Sequence, residues 1–189
     1  MSNTANGDGT FTLVYDLVVS NTGGAAGPYI LKDTFFPDDT IALTNPATEP
    51  SVTTTSGEAL AATQLARDAE TTLVLAGSTD PGATETFTVT ATVSVDLTLG
   101  DKVYGVCTVG APVEGEGLYN QAKVEVSGEI KISTVCPDVP NVEIKKTVFS
   151  NTANGDGTYT VIYDLVVTNT GGKTGPYILS DTFAPDDTI

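Results

Sequence analysis

Three observations on the sequence predict an all-β protein. Apolar and polar residues alternate over many short runs, turn-forming residues separate these runs, and helical periodicity is confined to one stretch at about 57–68. Many short alternating strands with little helix favour two antiparallel sheets packed face to face. The predicted fold is therefore an immunoglobulin-like antiparallel β-sandwich repeat with one short helix.

An internal repeat organises the chain. Residues 150–189 repeat residues 2–41 at a constant offset of 148 positions, and 32 of the 40 positions are identical. Such a period predicts a tandem array of modules. Two domains are expected: residues 2–140 form a sandwich module that lacks its first strand, and residues 141–189 form the first strands of the next copy. The PDVP segment at 137–140 marks the boundary between them.

The duplicated segment predicts two strands preceded by a turn. Residues 2–9 (SNTANGDG) are rich in turn-forming pairs. In the strand from Thr10 to Asn21, the bulkier face consists of Phe11, Leu13, Tyr15, Leu17 and Val19. The next strand follows Pro28, and one of its faces consists of Tyr29, Leu31, Asp33 and Phe35. Asp33 is therefore predicted to point inward with large apolar side chains.

Further strands and the helix complete the module. Short strands and loops are expected over 41–55. The longer predicted strands are Thr71–Ala76, Glu85–Leu97, Lys102–Val109, Leu118–Gly128, Glu129–Thr134 and Asn141–Phe149. The stretch from Ser56 to Glu70 predicts the helix, because Ser56 is a suitable N-cap and Leu60 and Leu65 fall near one helical face.

Charge and cysteine content indicate the compartment and exclude some partners. The net charge is −16, from 24 acidic and 8 basic residues, so binding to nucleic acid or to an anionic membrane surface is not expected. No run is apolar enough to predict membrane insertion. Cys107 and Cys136 are predicted to form a disulfide, the alternative being two buried thiols. A disulfide favours an extracellular or cell-surface location.

The residue types give no catalytic site, and the chain is not expected to be an enzyme. It has no histidine, which rules out Ser-His-Asp and Cys-His arrangements within it. No cofactor is predicted, except that turn oxygens offer weak candidates for a Ca²⁺ site, although plain turns explain them better. These candidates are Asn6, Asp8, Asp38 and Asp39.

Four sequence segments together resemble a known group of proteins. They are VEIKKTV at 142–148, YDLVVTNTGG at 163–172, LSDTF at 179–183 and GLYNQAKVEV at 117–126. In this arrangement they resemble the prealbumin-like conserved repeat domains of bacterial and archaeal surface proteins, which are similar to the isopeptide-forming domains of pili and adhesins. The resemblance covers most of the repeat unit, but not residues 42–83.

The resemblance implies a set of candidate residues for an isopeptide bond. A lysine on the first strand would join an asparagine on the last strand beside an acid, and the matching positions are Lys146, Asn120 and Asp33, with Asp181 in the second copy. All fall on faces predicted to point inward, and Glu85 is an alternative acid. An inward asparagine can instead hydrogen-bond the backbone, and an inward lysine and aspartate can form a buried ion pair.

The expected function is structural. The chain is predicted to be a repeat of an extracellular surface protein or fibre, such as a stalk, filament or adhesin. Its expected partner is itself, as neighbouring repeats or a homopolymer, with head-to-tail assembly when strand 141–149 fills the open edge of another copy. The alternative is a ligand-binding adhesin module that attaches cells to a host or to polysaccharide through loops such as 42–83.

Overall fold

A computed structural model describes residues 2–95, 107–140, 142–175 and 177–184, and every regular element in these ranges is a β-strand. The strands are β1 (Ser2–Ala5), β2 (Thr10–Ser20), β3 (Gly27–Phe35), β4 (Ile41–Leu43), β5 (Ser51–Thr54), β6 (Glu70–Thr79), β7 (Thr84–Val95), β8 (Asn120–Val126), β9 (Glu129–Val135), β10 (Val142–Ala153) and β11 (Tyr159–Asn169). In the described part of the chain, no helix has the length and apolar character needed to cross a membrane.

The strands form antiparallel sheets. In the first sheet the order is β1-β2-β7-β4, and β5 also pairs with β7. In the second sheet the order is β6-β3-β8-β9. Strands β10 and β11 form a separate two-stranded hairpin. The all-β fold is confirmed, and the two larger sheets are consistent with a β-sandwich.

One apolar core joins the two larger sheets. Alternate residues of β2 and β7 point into it from the first sheet, as period-two strands with one buried face require. The second sheet contributes alternate residues of β3 together with Leu73 and Val74 of β6. The largest completely buried side chains include Phe35 and Phe87, one from each sheet. The inward phases predicted for β2 and β3 are therefore confirmed.

The predicted helix at about 57–68 is wrong, because this stretch is an irregular loop. Its backbone N–H groups bond neighbouring segments instead of one another: Leu65 N–H donates to the carbonyl of Pro50 and Asp68 N–H to the carbonyl of Phe35. A helix this short has little intrinsic stability, so these tertiary hydrogen bonds and the burial of Leu65 decide the conformation.

Strand boundaries differ from the predictions mainly near the repeated turn. Residues 2–5 form β1 instead of a turn, because their backbone pairs with residues 11–14 of β2. The strand predicted from 141 extends further, to Ala153, for the same reason. Residues 102–106 of the predicted strand Lys102–Val109, and residues 96–97 of the predicted strand Glu85–Leu97, lie outside the described residues, and residues 107–109 are not part of a strand.

The two copies of the repeat differ in burial. Phe35 is completely buried, whereas Phe183, which lies 148 positions later, is 68% exposed. Tyr29 is buried and its counterpart Tyr177 is exposed. Nearly identical sequences thus have different environments, because the two sheets of the first module pack face to face, whereas no second sheet in the described ranges packs against the second copy.

Candidate functional site

The candidate site in the first module is a cluster of three buried polar side chains. Tyr15 projects inward from β2, Asp33 from the middle of β3, and Asn120 from the start of β8. All three are almost completely buried. They meet because β3 and β8 pair directly in the second sheet, while β2 faces them across the core.

Hydrogen bonds hold this cluster together. The Asn120 Nδ2 group donates to Asp33 Oδ2 at 3.0 Å, to the Tyr15 hydroxyl at 2.7 Å and to the Thr34 carbonyl at 3.1 Å. The Tyr15 hydroxyl donates to the same Asp33 oxygen at 3.1 Å. Both donors therefore converge on Oδ2 of Asp33, whereas the buried Oδ1 of Asp33 has no hydrogen-bond partner. A buried acceptor left in this way carries a desolvation cost.

Burial also changes the acidity of the cluster. Loss of solvation raises the pKa of Asp33 from 3.8 to about 6, and the hydrogen bonds from Asn120 and Tyr15 offset part of this rise. Burial, followed by the nearby Asp33 carboxylate, raises the pKa of the Tyr15 hydroxyl well above its ordinary value. Asp33 can therefore hold or release a proton near neutral pH, beside the carboxamide of Asn120.

A second group of candidates lies in the second copy of the repeat. Lys146 on β10 donates from Nζ to Oδ1 of Asp181 at 2.7 Å, and its Nζ lies 4.5 Å from the centre of the Tyr163 ring. Asp181 and Tyr163 each lie 148 positions after their counterparts in the first module, Asp33 and Tyr15. In the second copy, the equivalent acid and tyrosine therefore lie beside a lysine, whereas in the first module they lie beside Asn120.

The four isopeptide candidates consequently form two separate groups. Asp33 and Asn120 lie together in the first module, and Lys146 and Asp181 lie together in the second copy. Glu85, the alternative acid, accepts hydrogen bonds from Thr79 and Tyr29.

Tyr15 was predicted only as an inward strand residue and not as a member of the site. Its hydroxyl contacts both Asp33 and Asn120. The available signal was the retention of tyrosine in both copies, at Tyr15 and Tyr163, while the neighbouring inward position changes from Leu13 to Val161.

The weak calcium candidates lie in separate turns, where local hydrogen bonds engage them. Asp8 Oδ1 accepts from the backbone N–H and hydroxyl of Thr10, and Asp38 Oδ1 accepts from the same two groups of Thr40. Asn6 bonds the hydroxyls of Thr10 and Thr12. In the described ranges there is no group of three or more His, Cys, Asp or Glu residues placed to hold a metal ion.

The predicted cysteine pair is confirmed. The sulfurs of Cys107 and Cys136 are 2.01 Å apart, at bonding distance. The bond anchors the segment that follows β9, and the backbone N–H of Cys107 also donates to Asp138 in that segment. Such a bond is typical of an oxidising environment.

Comparison of the chain with protein-family models, with curated proteins and with solved structures found no match.

Proposed function

We propose that this chain is a structural repeat of an extracellular surface protein or fibre, such as a stalk, filament or adhesin. The observation that carries the proposal is the 148-residue repeat, in which the two copies also use the same strand register. In the first copy, residues 2–5 pair with residues 11–14. In the second copy, residues 150–153 pair with residues 159–162 in the same register. Repeated modules of one design provide length and multivalency.

The disulfide supports a role that requires resistance to unfolding. It links two positions 29 residues apart and so limits the unfolded chain. It also fits an extracellular location, where such bonds persist. An immunoglobulin-like arrangement of the two sheets fits the same proposal, because sandwich domains are common in cell-surface proteins.

The lysine, acid and asparagine candidates would add a covalent bond to this structural role. In the reaction, the neutral Lys146 Nζ forms a bond to Cγ of Asn120 and the Cγ–Nδ2 bond of Asn120 breaks. Nδ2 leaves as ammonia after taking one proton from Nζ, and the new amide keeps the other Nζ proton. Asp33 lies at Nδ2 of Asn120, so its carboxylate form can accept the proton from Nζ and its protonated form can deliver that proton to the leaving Nδ2. The raised pKa of Asp33 suits both steps.

Intact-mass spectrometry under denaturing conditions tests this bond. Each bond formed should join two chains in a species that resists SDS and should lower the summed mass by one ammonia. Lys146→Arg should abolish the loss, and Lys145→Arg, on the opposite face of the same strand, should retain it. Full mass in every species would exclude the isopeptide and leave the structural role standing.

The adhesin alternative has less support. A depression of about 650 Å³ lies among residues of the 39–67 region. However, the Gln64 side chain in its wall already donates to the carbonyls of Pro46 and Glu49. The polar groups that would recognise a ligand are thus partly used to hold the loop.

Immunogold electron microscopy tests the structural role. An antibody raised against the first module should label extended fibres or stalks outside cells that make the protein. Labelling confined to the cell interior, or to compact isolated particles, would contradict the proposal.

A further inference from the structure

One edge of the first sheet is only partly covered. Strand β1 pairs with residues 11–14 of β2, and β7 pairs with β2 along its whole length on the other side. Among the described strands, none pairs with residues 15–20 of β2 on the β1 side. Within the described residues this segment is therefore a sheet edge of the kind to which another strand can add.

A cleft of about 540 Å³ opens between the sheets beside this edge. Its apolar lining includes Leu17, Leu31, Ala122, Val124 and Ile132. Two members of the buried polar cluster, Tyr15 and Asn120, also line it. The cleft therefore borders the candidate site.

In the second copy, a strand pairs with the edge that corresponds to this open segment of β2. Strand β10 is the counterpart of β1 but is longer at its N-terminal end. Its additional residues 142–148 pair with residues 163–169 of β11. All four pairs between β1 and β2 recur between β10 and β11 at the offset of 148. The same register carried back to the first module places a strand with the sequence of 142–148 along residues 15–21.

This register matches the side chains of the strand to the cleft. In the hairpin, Ile144, Lys146 and Val148 lie opposite Val167, Leu165 and Tyr163, whose counterparts in the first module are Val19, Leu17 and Tyr15. Residues directly opposite on paired strands share a face, so the three side chains would enter the cleft. In the hairpin Ile144 is 56% exposed and Val148 is 59% exposed, so both have apolar surface to bury.

The lysine of this strand also matches an unfilled acceptor. Oδ1 of Asp33 is buried without a hydrogen-bond partner. Oδ1 of Asp181, its counterpart, accepts the hydrogen bond from Lys146 Nζ at 2.7 Å. A strand docked in the repeated register would bring Lys146 to Asp33 and supply the missing partner.

Residues 142–148 cannot reach the cleft of the first module in their own chain. Asp138 is held at the β1 side, because Asn3 Nδ2 donates to its carbonyl at 3.1 Å, and Asn3 lies opposite Leu13. In the repeated register Val142 must lie opposite Asn21, eight residues or about 26 Å further along the strand. The four residues from Asp138 to Val142 span at most about 14 Å.

We propose that residues 142–148 of a second copy of this chain dock along residues 15–21 of β2 and fill the cleft, antiparallel and in the register of the β10–β11 hairpin. The incoming strand leaves its own β11 and pairs with β2, so the number of backbone hydrogen bonds is conserved. The gain is the burial of Ile144 and Val148, while the contact of Lys146 with the buried Asp33 replaces its present contact with the more exposed Asp181. Repetition of this contact joins copies head to tail.

The inference rests on the proposed structural role and specifies its partner and contact surface. Light scattering of the 189-residue chain in about 0.15 M salt, which screens the acidic surface, provides the test. Dimers or longer species should form as concentration rises. A chain that stays monomeric at millimolar concentration would overturn the inference, while labelled fibres on cells would still support the structural role.

Paired variants locate the contact on both sides. Ile132→Asp in the cleft should weaken association by about tenfold or more, because it places a charge against an apolar strand. Ile130→Asp is the control on the same strand: the two side chains are 58% and 61% exposed, and only Ile132 lines the cleft. On the strand side, Val148→Asp should weaken association and Thr147→Asp should not. Equal effects within either pair would contradict the proposed surface.

A peptide with the sequence of residues 142–149 gives an independent measurement. It should bind the chain, dissociate the oligomers and slow amide hydrogen exchange in residues 15–20 of β2. Binding should be lost when the peptide carries the substitution Ile144→Asp. Failure of the peptide to bind, or protection only outside the β2 edge, would overturn the assignment of this strand as the occupant.

Discussion

The buried carboxyl of Asp33 should make the stability of the first module depend on pH in a direction unusual for an aspartate. The change to make is Asp33→Asn, which retains an acceptor for the Asn120 and Tyr15 donors but does not ionise. In the folded protein, burial raises the pKa of Asp33 from 3.8 to about 6. Ionisation of the wild-type carboxyl in the folded protein therefore costs free energy as the pH rises.

The size of the effect follows from this difference in pKa. A carboxyl whose pKa is higher in the folded than in the unfolded protein contributes stability that is complete below about pH 4 and is lost as the pH rises through about 6. The interval from 3.8 to about 6 corresponds to about 3 kcal/mol. The free energy of unfolding of Asp33→Asn minus that of the wild type should therefore increase by about 3 kcal/mol between about pH 4 and pH 7.

Urea denaturation at a series of pH values measures this difference. The protein should be dilute enough to remain monomeric, because a docked lysine would stabilise the charged form of Asp33. Asp80→Asn, in an exposed turn, is the control for the loss of one negative charge. A stability difference between wild type and Asp33→Asn that stays constant from about pH 4 to pH 7 would refute the reasoning.

Two further predictions concern packing and cross-linking. Gly77→Ala should destabilise the module by about 1–3 kcal/mol, because the added Cβ would overlap the Tyr29 ring, whereas Gly24→Ala has open space and should be nearly neutral in thermal denaturation. Replacing both Cys107 and Cys136 by serine should cost about 3–4 kcal/mol in urea denaturation, because their 29-residue separation closes a long loop in the unfolded chain. An unchanged midpoint in either case would contradict the corresponding argument.

Much of the strand pattern could be predicted from the sequence, because alternation reports directly which face of a strand is buried. This reasoning placed Asp33 inward on β3, and the structure buries it completely. It failed at 57–68, where local helical periodicity was real but the backbone donors found partners on neighbouring segments. Hydrogen bonds between distant residues leave no periodic trace in the sequence.

The candidate site could be predicted only in part. The resemblance named Asn120, Asp33 and Lys146 as one set, whereas a hydrogen bond joins Asn120 to Asp33 and Lys146 lies apart with Asp181. Tyr15 was missed because a tyrosine on an inward face looks like any other large core residue until its hydroxyl has a partner. The sequence could not predict that Oδ1 of Asp33 has no hydrogen-bond partner, because this depends on the positions of all neighbouring donors.

The sequence by itself determined that the chain repeats, which faces of its strands are apolar, and that Lys146 shares a phase with Ile144 and Val148. Only the tertiary structure decided which of these faces are covered. Phe35 and Phe183 occupy equivalent positions in the repeat, yet one is buried and the other exposed. The physical reason is that an apolar side chain is buried only when a second surface packs against it. A strand of fixed sequence therefore remains exposed until another sheet or another copy covers it.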